Sequence, residues 1–354
     1  MTRLASSFLP AFPGEQNVIT KYPLLFLFLA TACALAGNDI PEQFGSRLEE
    51  VNYPFPVKFF RLKSQNEEME MAYMDIPPEK PNGRSVLLLH GKNFNGYYWE
   101  STIRVLAAAG YRVIIPDQIG FGKATKPESY QYTFEQLATN TLGLLDQLGV
   151  AKVSVVGHSM GGMLATRFAL MVPDRVEMLA LIDPIGLEDW KRVAPYRTVD
   201  QWYESELKLT ADQQKRYQSE SYYHGEWRPE YDRWVRLATG WLSSPDYARV
   251  AWNSALIYDM IFTQPVFYEF ADLRMPVLLV VGSQDRTALG KQWAPEDVRE
   301  TLGNYPELAK SAASKIPVCQ LEILEGIGHV PQIEAPEVLF PILLKFLEGS
   351  QPGL

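Results

Sequence analysis

From residue 85 onward the chain alternates short apolar runs with stretches of helical spacing, and few architectures accept that alternation. The runs SVLLLHG (85–91), YRVIIPD (111–117), KVSVVGHS (152–159) and VEMLALIDP (176–184) are of strand length and largely continuous in apolar residues. That pattern suits strands covered on both faces. Between them, STIRVLAAAG (101–110), TFEQLATNTLGLLDQLG (133–149) and GGMLATRFALMVPD (161–174) show helical spacing and end at Gly or Pro. Strand, helix, strand, helix predicts a mostly parallel sheet flanked by helices in an α/β fold. No internal repeat or low-complexity tract interrupts it.

The pattern breaks after Gly186. Residues 187–264 contain no apolar strand run but hold Trp190, Trp202, Tyr203, Tyr222, Tyr223, Trp227, Trp234, Trp241 and Trp252. MPVLLVVGSQD (275–285) and QLEILEGIGH (320–329) then resume the strands. The middle segment therefore reads as a helical cap, 187–264, inserted into a core formed by 45–186 and 265–350. It is expected over the carboxyl ends of the strands, where α/β folds keep their sites. Each aromatic can serve a small core of the cap's own; as a group they suggest an apolar pocket wall.

The formal net charge is −9, and no Lys/Arg cluster offers a footprint for a phosphate backbone, so nucleic acid is not an expected partner. Two cysteines, Cys33 and Cys319, cannot make a disulfide framework or a Cys-rich metal site. The four histidines lack ligand spacing, so neither metal nor cofactor is expected. Near the start, Lys21 precedes an apolar run from Leu24 to Leu35 that ends Ala34-Leu35-Ala36. This reads as a signal peptide, 1–36, cleaved to leave Gly37 first and the protein exported, periplasmic or secreted. Two other readings stay open: LATAC as a degenerate lipobox with Cys33 acylated, and an uncleaved anchor. Only these would make a membrane a partner. Cleavage after Ala36 would leave Cys319 as a single thiol, read as a small core residue.

The chemistry concentrates in VVGHSMGG (155–162). Gly157-His158-Ser159-Met160-Gly161 is G-x-S-x-G between a predicted strand and a predicted helix. Glycines two before and two after let the turn tighten while the serine hydroxyl stays exposed. A serine hydroxyl attacks only when a base takes its proton. His158 lies inside the turn, His90 precedes a strand-end glycine, and His224 belongs to the cap. His329, in GIGHVPQIEAPE after the last strand, arrives at the same sheet edge as Ser159 and is the predicted base. An acid must orient it. Asp285, ending VVGSQD, completes the order Ser, Asp, His; Asp183, ending LALID, is the runner-up and otherwise caps the turn into Pro184. The backbone N–H of Met160 supplies one oxyanion donor, and the loop after LLLHG supplies the other, Lys92 first and Asn93 second. The lysine side chain has no part in that role.

LLLHGKNFNGYYW, PDQIGFGKATKP, VVGHSMGG, VVGSQD and GIGHVPQIEAPE together resemble the α/β-hydrolase superfamily, in the serine-nucleophile branch with a helical cap after the sixth strand. The resemblance runs from about Arg47 to Leu347. It implies Ser159 as nucleophile, Asp285 as acid and His329 as base, with Lys92 and Met160 as oxyanion donors. Relatives that attack epoxides or haloalkanes carry an aspartate where Ser159 stands. An apolar cap without an evident charged clamp favours a small uncharged acyl substrate, hence a carboxylic ester hydrolase. A C–C hydrolase with the same triad would need carboxylate-binding groups, for which Arg197, Arg233 and Arg236 are the cap's candidates; a weakly hydrolytic receptor is a further alternative. The segment between Asp285 and His329 is longer than one helix and turn. Trp293, Pro295, Tyr305 and Pro306 either form a flap near the site or extend a surface loop.

Overall fold

The computed structural model describes residues 43–349, so the expectations for 1–36, Cys33 and Gly37 fall outside the described residues. Eight strands form one sheet: β1 (Val57–Ser64), β2 (Glu67–Ile76), β3 (Ser85–Leu89), β4 (Arg112–Pro116), β5 (Val153–His158), β6 (Val176–Ile182), β7 (Val277–Gly282) and β8 (Cys319–Leu324). Their order is β1-β2-β4-β3-β5-β6-β7-β8. β1 pairs antiparallel with β2, and β2 with β4. Every pairing from β4 to β8 is parallel.

The six apolar runs become β3 to β8, while β1 and β2 had gone unread. β1, VKFFRLKS, is broken by Lys58, Arg61 and Lys63 and is an edge strand with much of its length exposed, and β2, EEMEMAYMDI, opens with Glu67, Glu68 and Glu70. A strand wetted on one face lacks the continuous apolar run by which a buried one is recognised.

Continuity of the central strands divides the core in two. On β5, Val155 belongs to one buried apolar cluster with Leu137 and Leu144 of α2 (Phe134–Gln147) and Met163 and Phe168 of α3 (Met160–Met171). Its neighbour Val156 belongs to the other cluster, with Ile103 and Leu106 of α1 (Glu100–Ala108) and Leu339 and Leu343 of the last helix, Pro336–Leu347. Successive side chains of a strand point to opposite faces, so both must be apolar where helices cover both. Each such residue contributes about 1.5–3 kcal/mol by leaving water.

Between β6 and β7 the chain forms α4 (Val199–Leu207), α5 (Ala211–Tyr222), α6 (Asp232–Thr239) and α7 (Tyr247–Thr263). Thr198 with Gln201, and Thr210 with Gln213, make reciprocal capping boxes that start α4 and α5 in otherwise weakly apolar sequence. Between β7 and β8 lie α8 (Glu296–Arg299) and α9 (Tyr305–Ala313). Among the described residues, no helix is long and apolar enough to cross a membrane.

The sheet brings its chemistry to one edge. The parallel strands all point the same way, and the chain leaves β3, β5, β6, β7 and β8 at His90, Ser159, Asp183, Ser283 and Glu325 respectively. β4 lies on one side of β3 and β5 on the other, so the order reverses there and opens a crevice between the loops that follow β3 and β5.

Candidate active site

Ser159 sits at the turn between β5 and α3 with φ 56° and ψ −123°, a conformation that L-residues rarely adopt. The turn is held from three sides. Ser159 donates its N–H to Ile182 O at 3.2 Å, and its carbonyl accepts from Gly162 N at 2.8 Å and Ile185 N at 3.2 Å. The flanking glycines answer a shortage of room. A Cβ on Gly157 would collide with Gly161 O, and one on Gly161 with Leu89 O. The cost of positive φ at a serine is of order 1–3 kcal/mol and persists because its surroundings fix it.

The loop after β8 delivers His329. Its Nε2 lies 3.0 Å from Ser159 Oγ and its Nδ1 2.6 Å from Asp285 Oδ2. Asp285 and His329 are completely buried, while Ser159 retains 7% exposure toward a cavity. The three residues read from the sequence are thus within direct hydrogen-bond reach. Asp285 is oriented in turn by Thr287 N–H, which donates to Oδ1 at 2.8 Å.

Asp183 is close by but engaged elsewhere. Its Oδ1 accepts Gly282 N–H at 2.8 Å, and no hydrogen bond joins it to the imidazole. Burial, then the neighbouring charge of Asp285, pushes its pKa well above the usual carboxylate value, so its protonated form is favoured more than in an ordinary aspartate. Asp183, Asp285 and His329 could offer ligand atoms within 4.8 Å of one another. Within this cluster Asp285 is bonded to His329 at 2.6 Å, where its carboxylate orients the imidazole and stabilises its charged form.

His158, beside the serine, braces the base. Gly91 N–H donates to Tyr98 Oη at 3.2 Å, Tyr98 Oη meets His158 Nδ1 at 3.1 Å, and His158 Nε2 reaches His329 O at 2.7 Å. Only the tautomer with its proton on Nε2 satisfies all three bonds. Burial, then the proximity of His329, lowers the His158 pKa well below the usual value and keeps the ring neutral. His90 does the same for the neighbouring loops, with Nδ1 2.9 Å from Gly91 O and Nε2 accepting Gln118 N–H at 3.1 Å. Burial lowers its pKa too.

The cap reaches the base through Tyr222, at the end of α5. Its carbonyl accepts His329 N–H at 2.9 Å, its ring lies 4.9 Å from the imidazole at 31°, and its hydroxyl accepts from Asn93 Nδ2 at 2.7 Å. A second tie runs from His224 Nε2 to Glu334 Oε1 at 3.0 Å, while Glu334 Oε2 accepts Gly328 N–H at 2.8 Å. Sequence reading had named Tyr222 only as one of the cap's aromatics and had quoted Tyr98 and Glu334 only inside LLLHGKNFNGYYW and GIGHVPQIEAPE, with no role for any of the three at the base.

The two oxyanion candidates flank Ser159. Met160 is the first residue of α3, so its N–H has no acceptor within the helix. A Cβ on Gly91 would stand 3.1 Å from Ser159 Cβ, which brings the loop holding Lys92 and Asn93 alongside the nucleophile. Lys92, Asn93 and Ser159 line one cavity of about 660 Å³. Trp190, Trp202, Tyr222, Trp241 and Tyr258 form much of its wall, and Trp293 closes one side. Other cap aromatics pack among themselves: Tyr223 stacks on Tyr231 at 3.7 Å, and Tyr203 meets Trp252 edge-on at 5.4 Å. Both readings of the aromatics therefore hold, for different residues.

The first part of the segment between Asp285 and His329 lies against the cavity. Residues Thr287 to Gly290 and Trp293 line the cavity, and Trp293 contacts Trp202 of the cap at 5.0 Å. Tyr305 Oη bonds Thr287 O at 3.0 Å and anchors it. Cys319 on β8 is half-buried with its thiol pushed up to about 11 by burial, the profile of a packing residue. Among the arginines considered as carboxylate clamps, Arg197 lies over Trp293 at 4.1 Å and Arg233 over Trp234 at 4.2 Å, and neither they nor Arg236 line the cavity. The expectation of a cap without a charged clamp needs correction, however, because Glu206, Lys208, Arg216 and Glu220 of the cap line the cavity, together with Lys92 of the core.

Fold and site define a class, and comparison with known proteins agrees: residues 84–294 match the alpha/beta hydrolase fold, and the chain belongs to that family. A solved structure from Pseudomonas aeruginosa PAO1, described as a probable hydrolytic enzyme, is 53% identical, with a TM-score of 0.85 over 88% of this chain and 99% of that one. Lipase 1 of Psychrobacter immobilis is 28% identical over 260 residues, 72% of this chain and 73% of that protein. Epoxide hydrolase 2 of Siraitia grosvenorii is 43% identical over only 99 residues, which span 28% of this chain and 31% of the relative.

Proposed function

We propose that the protein is a carboxylic ester hydrolase that works through an acyl-serine intermediate. The observation that carries this reading is the unbroken line Ser159 Oγ, His329 Nε2, His329 Nδ1, Asp285 Oδ2, with separations of 3.0 and 2.6 Å. In the acylation step His329 Nε2 takes the Ser159 proton as Oγ bonds to the ester carbonyl carbon. The carbonyl oxygen becomes an oxyanion, received by the N–H groups of Met160 and Lys92. Collapse expels the alkoxide, which leaves as the alcohol with the proton from His329. Water then repeats the sequence on the acyl-serine and releases the acid. Asp285 holds the imidazole and stabilises its charged form.

The nucleophile argues against epoxide opening, whatever the partial match to proteins of that name. A carboxylate that opens an epoxide forms an ester, which water can cleave at its carbonyl. Serine would form an ether, which this triad has no means to hydrolyse. A C–C hydrolase remains a second reading, because a relative from Paraburkholderia xenovorans named 2-hydroxy-6-oxononadienedioate/2-hydroxy-6-oxononatrienedioate hydrolase is 35% identical over 128 residues. Purified protein is expected to release p-nitrophenol from p-nitrophenyl butyrate in steady state and to leave a 2-hydroxy-6-oxo-dienoate uncleaved. Rapid cleavage of the dienoate with negligible ester turnover would replace the ester reading by the C–C one, and a single stoichiometric burst would favour a receptor.

We also propose export, from Lys21, the apolar run and Ala34-Leu35-Ala36. The intact mass of protein recovered from its native envelope should correspond to a chain starting at Gly37. A mass that includes residues 1–36 contradicts cleavage, and added acyl mass on a chain starting at Cys33 indicates a lipoprotein.

A further inference from the structure

The Lys92 side chain is not used by the ester mechanism, yet it is placed with care. Its ammonium donates to Ser254 Oγ at 2.8 Å and stands 3.5 Å above the ring of Tyr258. Ser254 and Tyr258 both belong to α7, and all three residues line the cavity that contains Ser159. No carboxylate among the described residues forms an ion pair with this nitrogen. Glu206, which also lines the cavity, acts on it only through its charge from farther away. Desolvation pulls the pKa of Lys92 down to about 8, so the group remains mostly charged at neutral pH.

Burying an ammonium is costly unless an opposite charge meets it. One hydroxyl and one ring face satisfy part of this need, and they leave donor capacity on a group with three N–H bonds. An apolar side chain would fill the same gap between core and cap without that cost. The cation also sits on the residue proposed to give its backbone N–H to the oxyanion, so a ligand held by both would be fixed at two points.

We propose that the Lys92 ammonium is a carboxylate-binding subsite, and that the substrate is an acidic ester: a molecule with one ester group for Ser159 and a free carboxylate for Lys92, as in the half-esters of dicarboxylic acids. What reacts rests on the ester-hydrolase reading; the binding of a carboxylate does not. The dienoate of the C–C reading would present the same group to the same ammonium. Glu206 opposes the anion and limits how tightly it is held.

Binding can be measured without turnover on the full-length Ser159→Ala protein. Monomethyl esters of succinate, glutarate, adipate and suberate are titrated calorimetrically at neutral pH against the matching dimethyl esters. At least one monomethyl ester is expected to bind ten times or more tightly than its uncharged partner. Lys92→Met in the same background should abolish that preference, Lys92→Arg should retain most of it, and Glu206→Gln should increase it. The subsite is wrong if no chain length favours the anion, a comparison that needs no change at position 92 and so no refolding control. It is also wrong if the preference survives in a folded Lys92→Met protein. A preference for the anion in a protein that turns over no ester would keep the subsite and remove the ester mechanism. Ester turnover without the preference would do the reverse.

Discussion

Ser159→Ala is expected to lower kcat/KM for a p-nitrophenyl ester by at least about 10³-fold while leaving the fold intact. The size follows from the role: without Oγ no acyl-enzyme forms, and what remains is the help that binding and the oxyanion donors give to direct attack by water. Stability should change little or improve, since alanine removes a side chain whose Oγ bonds only His329 and faces the cavity. Positive φ at residue 159 persists with either residue, so the strain is common to both. The check is a steady-state assay beside a thermal melt. Normal turnover by a folded Ser159→Ala protein would remove Ser159 from the role of nucleophile.

The second large effect separates two buried acids. Asp285→Asn is expected to cost about 10⁴ in kcat, because an amide cannot stabilise the imidazolium and its N–H₂ favours the tautomer that presents a proton to Ser159. Asp183→Asn should cost less than tenfold. Burial and the charge of Asp285 both disfavour its charged form, and an amide of the same shape still accepts Gly282 N–H. Asp183→Ala, by contrast, leaves that buried donor unpaired and should lose about 1–3 kcal/mol of stability. Measured kcat values and urea midpoints distinguish these outcomes. If Asp183→Asn proved inactive and Asp285→Asn active, the acid would belong to β6 and the segment after Asp285 would be only a flap.

The sequence conveyed the fold through a single property, the continuity of apolar residues in runs such as SVLLLHG and VLLVVG, because a strand buried on both faces has no room for polar alternation. For the same reason β1 and β2 escaped notice: the charges of VKFFRLKS at the sheet edge and of EEME at the start of β2 break the apolar continuity by which the buried strands are read. The triad was legible because each member ends a strand or follows one, and parallel strands bring such ends together. What the sequence hid depends on contacts between distant elements. Tyr98 and His158 are 60 residues apart, His158 and His329 are 171 apart, and neither separation has a period or a motif. Lys92 was legible as a backbone donor, but the destination of its side chain depended on where α7 crosses the cavity.

The central claim, that Ser159 becomes covalently acylated with His329 as its base, is tested most directly by trapping. Full-length protein is treated with diethyl p-nitrophenyl phosphate, in which Oγ displaces p-nitrophenolate and leaves a stable phosphoryl-serine that cannot complete turnover. Intact mass and peptide mapping should show one diethylphosphoryl group per chain on the peptide containing Ser159, with loss of ester turnover in proportion. Ser159→Ala should remain unlabelled and His329→Ala should label far more slowly. An adduct on another residue, or full inhibition with Ser159 unmodified, would contradict the account.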